Sequence, residues 1–128
     1  MYLFVCTGNT CRSPMAAALW RKRGHEAESA GIYAMQGSAA STGAIRAMQH
    51  FQIDLSAHRA HPVSAQSMER AEKIVALTGR HAQALIAQFP MHADKIICMP
   101  RDIQDPFGGD DDDYLRCAQD IDEALDLL

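Results

Sequence analysis

Tyr2-Leu3-Phe4-Val5-Cys6-Thr7-Gly8-Asn9-Thr10-Cys11-Arg12-Ser13-Pro14 runs from a short apolar segment through a cysteine and a glycine-containing loop to an arginine. Residues 2–5 read as a buried strand. Ser13 has the chemistry of an N-cap and Pro14 suits a first helical position, so a helix should open there. A loop between a strand end and a helix start can turn its backbone N–H groups toward one point, and the helix adds its positive end. The same field favours a thiolate at Cys6. Arg12 can reach over the loop and grip two phosphate oxygens in a planar fork. The stretch therefore reads as a loop that holds a dianion against a sulfur. The competing reading is a core cysteine beside an ordinary turn. A cysteine followed six residues later by Arg and then Ser or Thr arises by chance in roughly one such chain per hundred, and its place at a strand-to-helix junction makes it rarer.

Outward from this loop the chain alternates strands and helices. A helix is expected over 14–23, where Arg21-Lys22-Arg23 and then Gly24 suit a helix end. A second strand follows at 26–30, with helices over about 42–51 and from near Ser64 to Arg70. Lys73–Leu77 reads as a third strand, followed by a helix through about Phe89 that Pro90 closes. Lys95–Met99 is the fourth strand. Tyr114, Cys117, Ile121, Leu125 and Leu128 recur at helical spacing. Apolar strands separated by helices imply an α/β fold whose parallel sheet is covered on both faces. Ligands then bind beyond the strand C-termini, where strand order switches.

Composition fits this picture. With 128 residues and 48% hydrophobic content the chain can bury one core, so residues 1–128 are read as a single domain. No segment approaches the roughly 18 apolar residues of a membrane span. No basic segment followed by a long apolar stretch opens the chain, so no secretory signal is expected. A net charge of −4 argues against a nucleic-acid surface. Four cysteines are more consistent with reduced thiols in the cytoplasm than with two disulfides. Cys98 and Cys117 are expected in the core of a strand and a helix.

On these residues the chain resembles the low-molecular-weight protein phosphatases. The loop Cys6–Ser13, the triplet Ser29-Ala30-Gly31, His58 after the second helix, and Asp105-Pro106-Phe107-Gly108-Gly109 follow in the family's order. The resemblance implies a three-layer α/β/α fold, with a four-stranded parallel sheet in order 2-1-3-4 and the phosphate loop after strand 1. It implies that Cys6 is the nucleophile, Arg12 binds phosphate and Asp105 is the general acid. Thr7, Gly8, Asn9, Thr10, Cys11 and Ser13 would complete the phosphate-binding loop, and Asn9, Ser29 and His58 would support it by hydrogen bonds. The expected reaction passes through a phosphocysteine, calls for no metal or cofactor, and releases inorganic phosphate from a phosphorylated protein.

Several residues carry two readings each. Ser13 is either a helix cap or a donor to the Cys6 sulfur, and Asp105 before Pro106 is either a turn residue or the acid. Cys11 either closes a reversible disulfide with Cys6 or packs as a thiol. The run Asp110–Asp113 either attracts a cationic substrate or favours a helix N-terminus. His58 and His61 lack the further ligands a metal site needs.

Thr10 bears on the substrate. Many phosphotyrosine members carry an aliphatic residue there, whereas threonine resembles the protein-arginine phosphatase branch. The segment Leu77-Thr78 with His81, and Asp105–Gly109 followed by Tyr114, also resemble that branch. Met35 stands where many tyrosine-specific relatives have tryptophan, and Phe107 can stack on a ring or a guanidinium. Phosphoarginine is therefore favoured over phosphotyrosine. A thioredoxin-coupled arsenate reductase and a non-catalytic phosphate-binding module are the rivals. The first needs two neighbouring cysteines that Cys98 and Cys117 do not supply, and the second has no use for Asp105.

Overall fold

In the computed structural model, which describes residues 1–128, five helices surround a four-stranded sheet. Strands β1 (Tyr2–Cys6), β2 (Ala27–Gly31), β3 (Lys73–Ala76) and β4 (Ile96–Cys98) are all parallel, in the order β2-β1-β3-β4. The helices are α1 (Arg12–Lys22), α2 (Thr42–Gln49), α3 (Ala65–Arg70), α4 (Gly79–Gln88) and α5 (Asp111–Leu125). Fold class and strand order agree with the sequence reading.

Side chains of the two central strands alternate between two cores, as a period of two requires. Phe4 and Cys6 of β1, with Val75 and Leu77, pack among Met15, Leu19, Met48 and Ile121 of α1, α2 and α5. Leu3 and Val5, with Ile74 and Ala76, meet Met68 of α3 and Leu85 of α4 on the other face. Leu3, Phe4 and Ile74 lose all solvent contact, each stabilising the fold by about 1.5–3 kcal/mol. With both faces covered, the central strands are apolar throughout.

This order puts the strand-order switch at β1 and β3, whose connections leave in opposite directions. The loops after all four strands gather along one edge. Beyond β4 the chain stays in register with β3: Met99 N–H donates to Ala76 O at 2.9 Å and Ile103 N–H to Leu77 O at 3.0 Å. That extension delivers Asp105 to the same edge as Cys6.

Three local expectations are corrected. Ser13 does not cap α1. The helix opens at Arg12, Cys11 holds the cap position without a side-chain bond, and Pro14 stands at the third helical position. A side-chain cap would occupy first-turn amides that this loop keeps free. Cys98 is exposed rather than core, because β4 is a three-residue edge strand covered only in part. Pro90 ends α4 but opens a 3-10 segment, Pro90–Lys95, whose first turn needs no N–H from it.

The run Asp110–Asp113 starts α5. Asp110 accepts the Asp113 amide at 2.9 Å and Asp113 accepts the Asp110 amide at 3.0 Å, a reciprocal capping box. Asp111 faces Arg46 of α2 at 3.3 Å.

Candidate active site

Cys6 ends β1 and is buried, paired in register with Gly31 of β2. The amides of Gly8, Asn9, Thr10 and Cys11 donate to no acceptor within the protein. Asn9 takes a left-handed φ of 58°, which its short polar side chain tolerates and which bends the loop into a concavity of N–H groups.

Asn9 is fully buried, and its carbonyl and both polar atoms of its side chain are held. Its Nδ2 donates to Ser13 Oγ and to Ser29 Oγ, both at 2.9 Å. Its Oδ1 accepts the His61 amide at 3.1 Å, and its carbonyl accepts His58 Nε2 at 2.8 Å. A carbonyl only accepts, so His58 carries its proton on Nε2. Burial holds the His58 pKa below its usual value, so the ring favours the neutral form. Ser29 and His58, one from β2 and one from the loop after α2, thus both bond to Asn9.

Ser13 Oγ lies 2.9 Å from Cys6 Sγ and 3.4 Å from Ala30 O. Because Asn9 occupies the oxygen as a donor, the hydroxyl proton is free to point at the nearer acceptor, the sulfur. Cys11 faces away, toward the helices. Its thiol lies 3.1 Å from Ser41 Oγ, the cap of α2, and 3.8 Å from the Tyr114 hydroxyl of α5. Both Cys6 and Cys11 are free thiols.

Arg12 is 7% exposed. It donates to Ile103 O at 3.0 Å, which anchors one arm of the guanidinium, and the other arm comes 3.6 Å from Asp105 Oδ2. Asp105 sits at the rim with about half of its side chain in solvent. Its Oδ1 accepts the Phe107 amide at 3.1 Å, which fixes the carboxyl rotation. Cys6, Thr7, Gly8, Thr10, Cys11, Arg12, Asp105 and Phe107 enclose a pocket of about 240 Å³. The sheet edge therefore brings Cys6, Arg12, Asp105 and the Phe107 ring together.

Two features lay outside the sequence-based site. His81, at the start of α4, is buried and bonds Thr7 Oγ1 through Nε2 at 2.8 Å. Its pKa is pushed down to about 4, first by burial and then by the charge of Arg12. The spacing Thr78-x-x-His81 at a strand-to-helix junction was its signal. Tyr33 is 82% exposed, with its amide on Thr7 O at 2.9 Å, and it lines an adjoining cleft with Arg12 and Arg80. It stands two residues before Met35, so an aromatic ring borders the site although position 35 carries none.

A profile of the Low molecular weight phosphotyrosine protein phosphatase family matches residues 2–128. The chain is similar to a protein-arginine-phosphatase of Geobacillus stearothermophilus, 37% identical over 98% of this chain and 91% of that protein. It is equally 37% identical to a probable low molecular weight protein-tyrosine-phosphatase, EpsP, of Ralstonia nicotianae, over 98% of this chain and 86% of that one. Among solved structures it superposes with a TM-score of 0.91 and 34% identity on a YwlE arginine phosphatase mutant bearing a phosphorylated active-site serine, covering 97% of this chain and 90% of that one. Matches that span the whole chain, together with the sheet order and the loop at its edge, place it in one group. The chain belongs to the low molecular weight phosphotyrosine protein phosphatase family.

Proposed function

We propose that this protein phosphatase acts on phosphoarginine in proteins, with Cys6 as nucleophile, Arg12 as phosphate ligand and Asp105 as general acid. The observation that carries the substrate choice is the pocket wall. Thr7 and Thr10 put two hydroxyls beside Cys6, and Phe107 is the one aromatic that lines the pocket. Threonine oxygens can accept from guanidinium N–H groups, whereas an aliphatic wall would favour a phenyl ring. Overall identity does not decide, since it is the same to an arginine-directed and a tyrosine-directed relative.

The Cys6 thiolate attacks phosphorus in line as the P–N bond of the substrate breaks. Asp105 gives its proton to the departing guanidine nitrogen. Arg12 and the loop amides hold the three equatorial oxygens as their charge redistributes. Water then attacks the phosphocysteine, Asp105 takes a proton from it, and the S–P bond breaks to release phosphate. The Ser13 hydroxyl at 2.9 Å eases the departure of the sulfur as thiolate. The four thiols, all free, suit a reducing cytoplasm, and no helix is long and apolar enough to cross a membrane.

An arsenate-reducing relay fits less well. Cys98 is exposed on the edge strand, while burial pushes the Cys117 thiol up to about 12, too high to pass a disulfide along. The deciding experiment is phosphate release from matched phosphoarginine and phosphotyrosine peptides, with Cys6→Ser as blank. Faster release from phosphoarginine, reversed by Thr10→Ile, is expected. A preference for phosphotyrosine in the unaltered protein would overturn the substrate assignment and leave the mechanism standing.

A further inference from the structure

We propose that His81 is a positioning residue that turns the Thr7 hydroxyl proton toward the phosphoryl group held over Cys6. The imidazole stands between two hydroxyls from different parts of the chain. Nδ1 lies 3.0 Å from Thr78 Oγ1, and Nε2 lies 2.8 Å from Thr7 Oγ1. Thr78 Oγ1 also accepts the backbone N–H of His81 at 3.2 Å, as the cap of α4. The ring is thus clamped to the first turn of α4, and through β3 to the sheet, while Thr7 is exposed at the pocket wall.

A neutral imidazole has one N–H, so two arrangements satisfy these contacts. In the first, Nδ1–H donates to Thr78 and the Thr7 hydroxyl donates to Nε2. Thr7 then turns only lone pairs toward the anion. In the second, the Thr78 hydroxyl donates to Nδ1 and Nε2–H donates to Thr7 Oγ1. The Thr7 proton is then free to enter the pocket. Four unengaged amides and the Arg12 guanidinium give this loop a field that favours an anion. Lone pairs facing a dianion would oppose that field, so the second arrangement is the one selected. The ring stays neutral near pH 7, because burial and the neighbouring Arg12 both act against a second proton, outweighing Asp102 and Asp105. Without His81 the Thr7 hydroxyl is a free rotor among three staggered positions. With it, the hydroxyl is one more aligned donor to a phosphoryl oxygen.

This inference rests on the assignment of Cys6 as nucleophile, and its test has two independent parts. The first is the long-range ¹⁵N–¹H spectrum of the histidine rings at pH 7 in the intact protein. A proton on Nε2 of His81 is expected, and a proton on Nδ1 or a doubly protonated ring would overturn the proposal. This measurement stands even if the wild-type protein hydrolyses no phosphate ester, a result that would instead sink the reading of Cys6. The second is a double-mutant cycle on an aryl phosphate. Thr7→Val and His81→Leu should each lower kcat/KM about tenfold, the scale of one lost hydrogen bond to a charged group. The double variant should be no worse than either single variant. His81→Gln, whose amide nitrogen can reach the place of Nε2, should recover most of the loss. Losses that multiply in the double variant, or a Thr7→Val protein equal to wild type, would show that His81 does not act through Thr7.

Discussion

Adding one methyl group at Gly31 should damage catalysis at Cys6, although Gly31 touches no substrate. Gly31 closes β2 beside Cys6, and its φ is not in the left-handed region, so the constraint is space alone. A Cβ there would meet Thr7 O at 2.6 Å, the Ala34 side chain at 2.9 Å and the Asn9 amide nitrogen at 3.0 Å. The first is about 0.8 Å inside ordinary contact. Gly31 cannot retreat, because its amide is held by His61 O at 3.0 Å and its carbonyl by the Val63 amide at 3.0 Å. The phosphate loop must move instead. Overpacking of this kind costs about 1–3 kcal/mol of stability, and a loop shift approaching 1 Å costs about tenfold to a hundredfold in rate. Gly31→Ala should therefore lose about 2 kcal/mol in urea unfolding and at least about tenfold in kcat/KM on p-nitrophenyl phosphate. A variant within twofold of wild type in rate, and unchanged in urea midpoint, would refute the claim that Gly31 sets the distance between β2 and the loop.

Asp105→Asn keeps the bond to the Phe107 amide but has no proton to give. It should slow release from a poor leaving group about 10²–10⁴-fold and spare p-nitrophenyl phosphate by comparison; equal losses on both would remove Asp105 as the acid. Stability should also depend on pH through His81. Its pKa is about 4 in the fold against 6.5 in the unfolded chain, so between those values the unfolded state binds more protons. Stability from this group is fully present above pH 6.5 and is lost as the pH falls toward 4, by at most about 3 kcal/mol, with His58 acting in the same direction. Urea midpoints of wild type and His81→Gln, compared at pH 7 and 4.5, measure it. Parallel profiles would contradict the assignment.

The path from Tyr2 to Pro14 was legible because its signals are local: an apolar strand, a loop cysteine, and a helix opening within one turn of Arg12. Sheet order and the arrival of Asp105 near Cys6 came with the family resemblance, since composition and periodicity do not order strands. What escaped the sequence depends on partners far along the chain. Ser13 carries two readings, cap and partner of the Cys6 sulfur, and only the missing cap bond and the 2.9 Å contact separate them. Cys98 has an apolar strand's neighbours, yet its strand lies at the sheet edge, which periodicity cannot report. His81 was visible as a spacing, but its bond to Thr7, 74 positions away, was not.

Cys11 and Arg12 hold a further consequence in the order of synthesis. The phosphate loop is among the first segments made, yet its rear and side walls are among the last. Cys11 meets Tyr114 across 103 positions, and Arg12 meets the Ile103 carbonyl across 91. Gly43 in α2 makes room for the Tyr114 ring, which a Cβ would approach within 2.3 Å, so one face of α2 also stays uncovered until α5 exists. On the ribosome, which adds about 5–20 residues per second, Cys6 waits while Arg12 has no anchor. An incomplete chain holds Cys6 without the finished walls of its pocket, and those walls close only when the C-terminal segments dock.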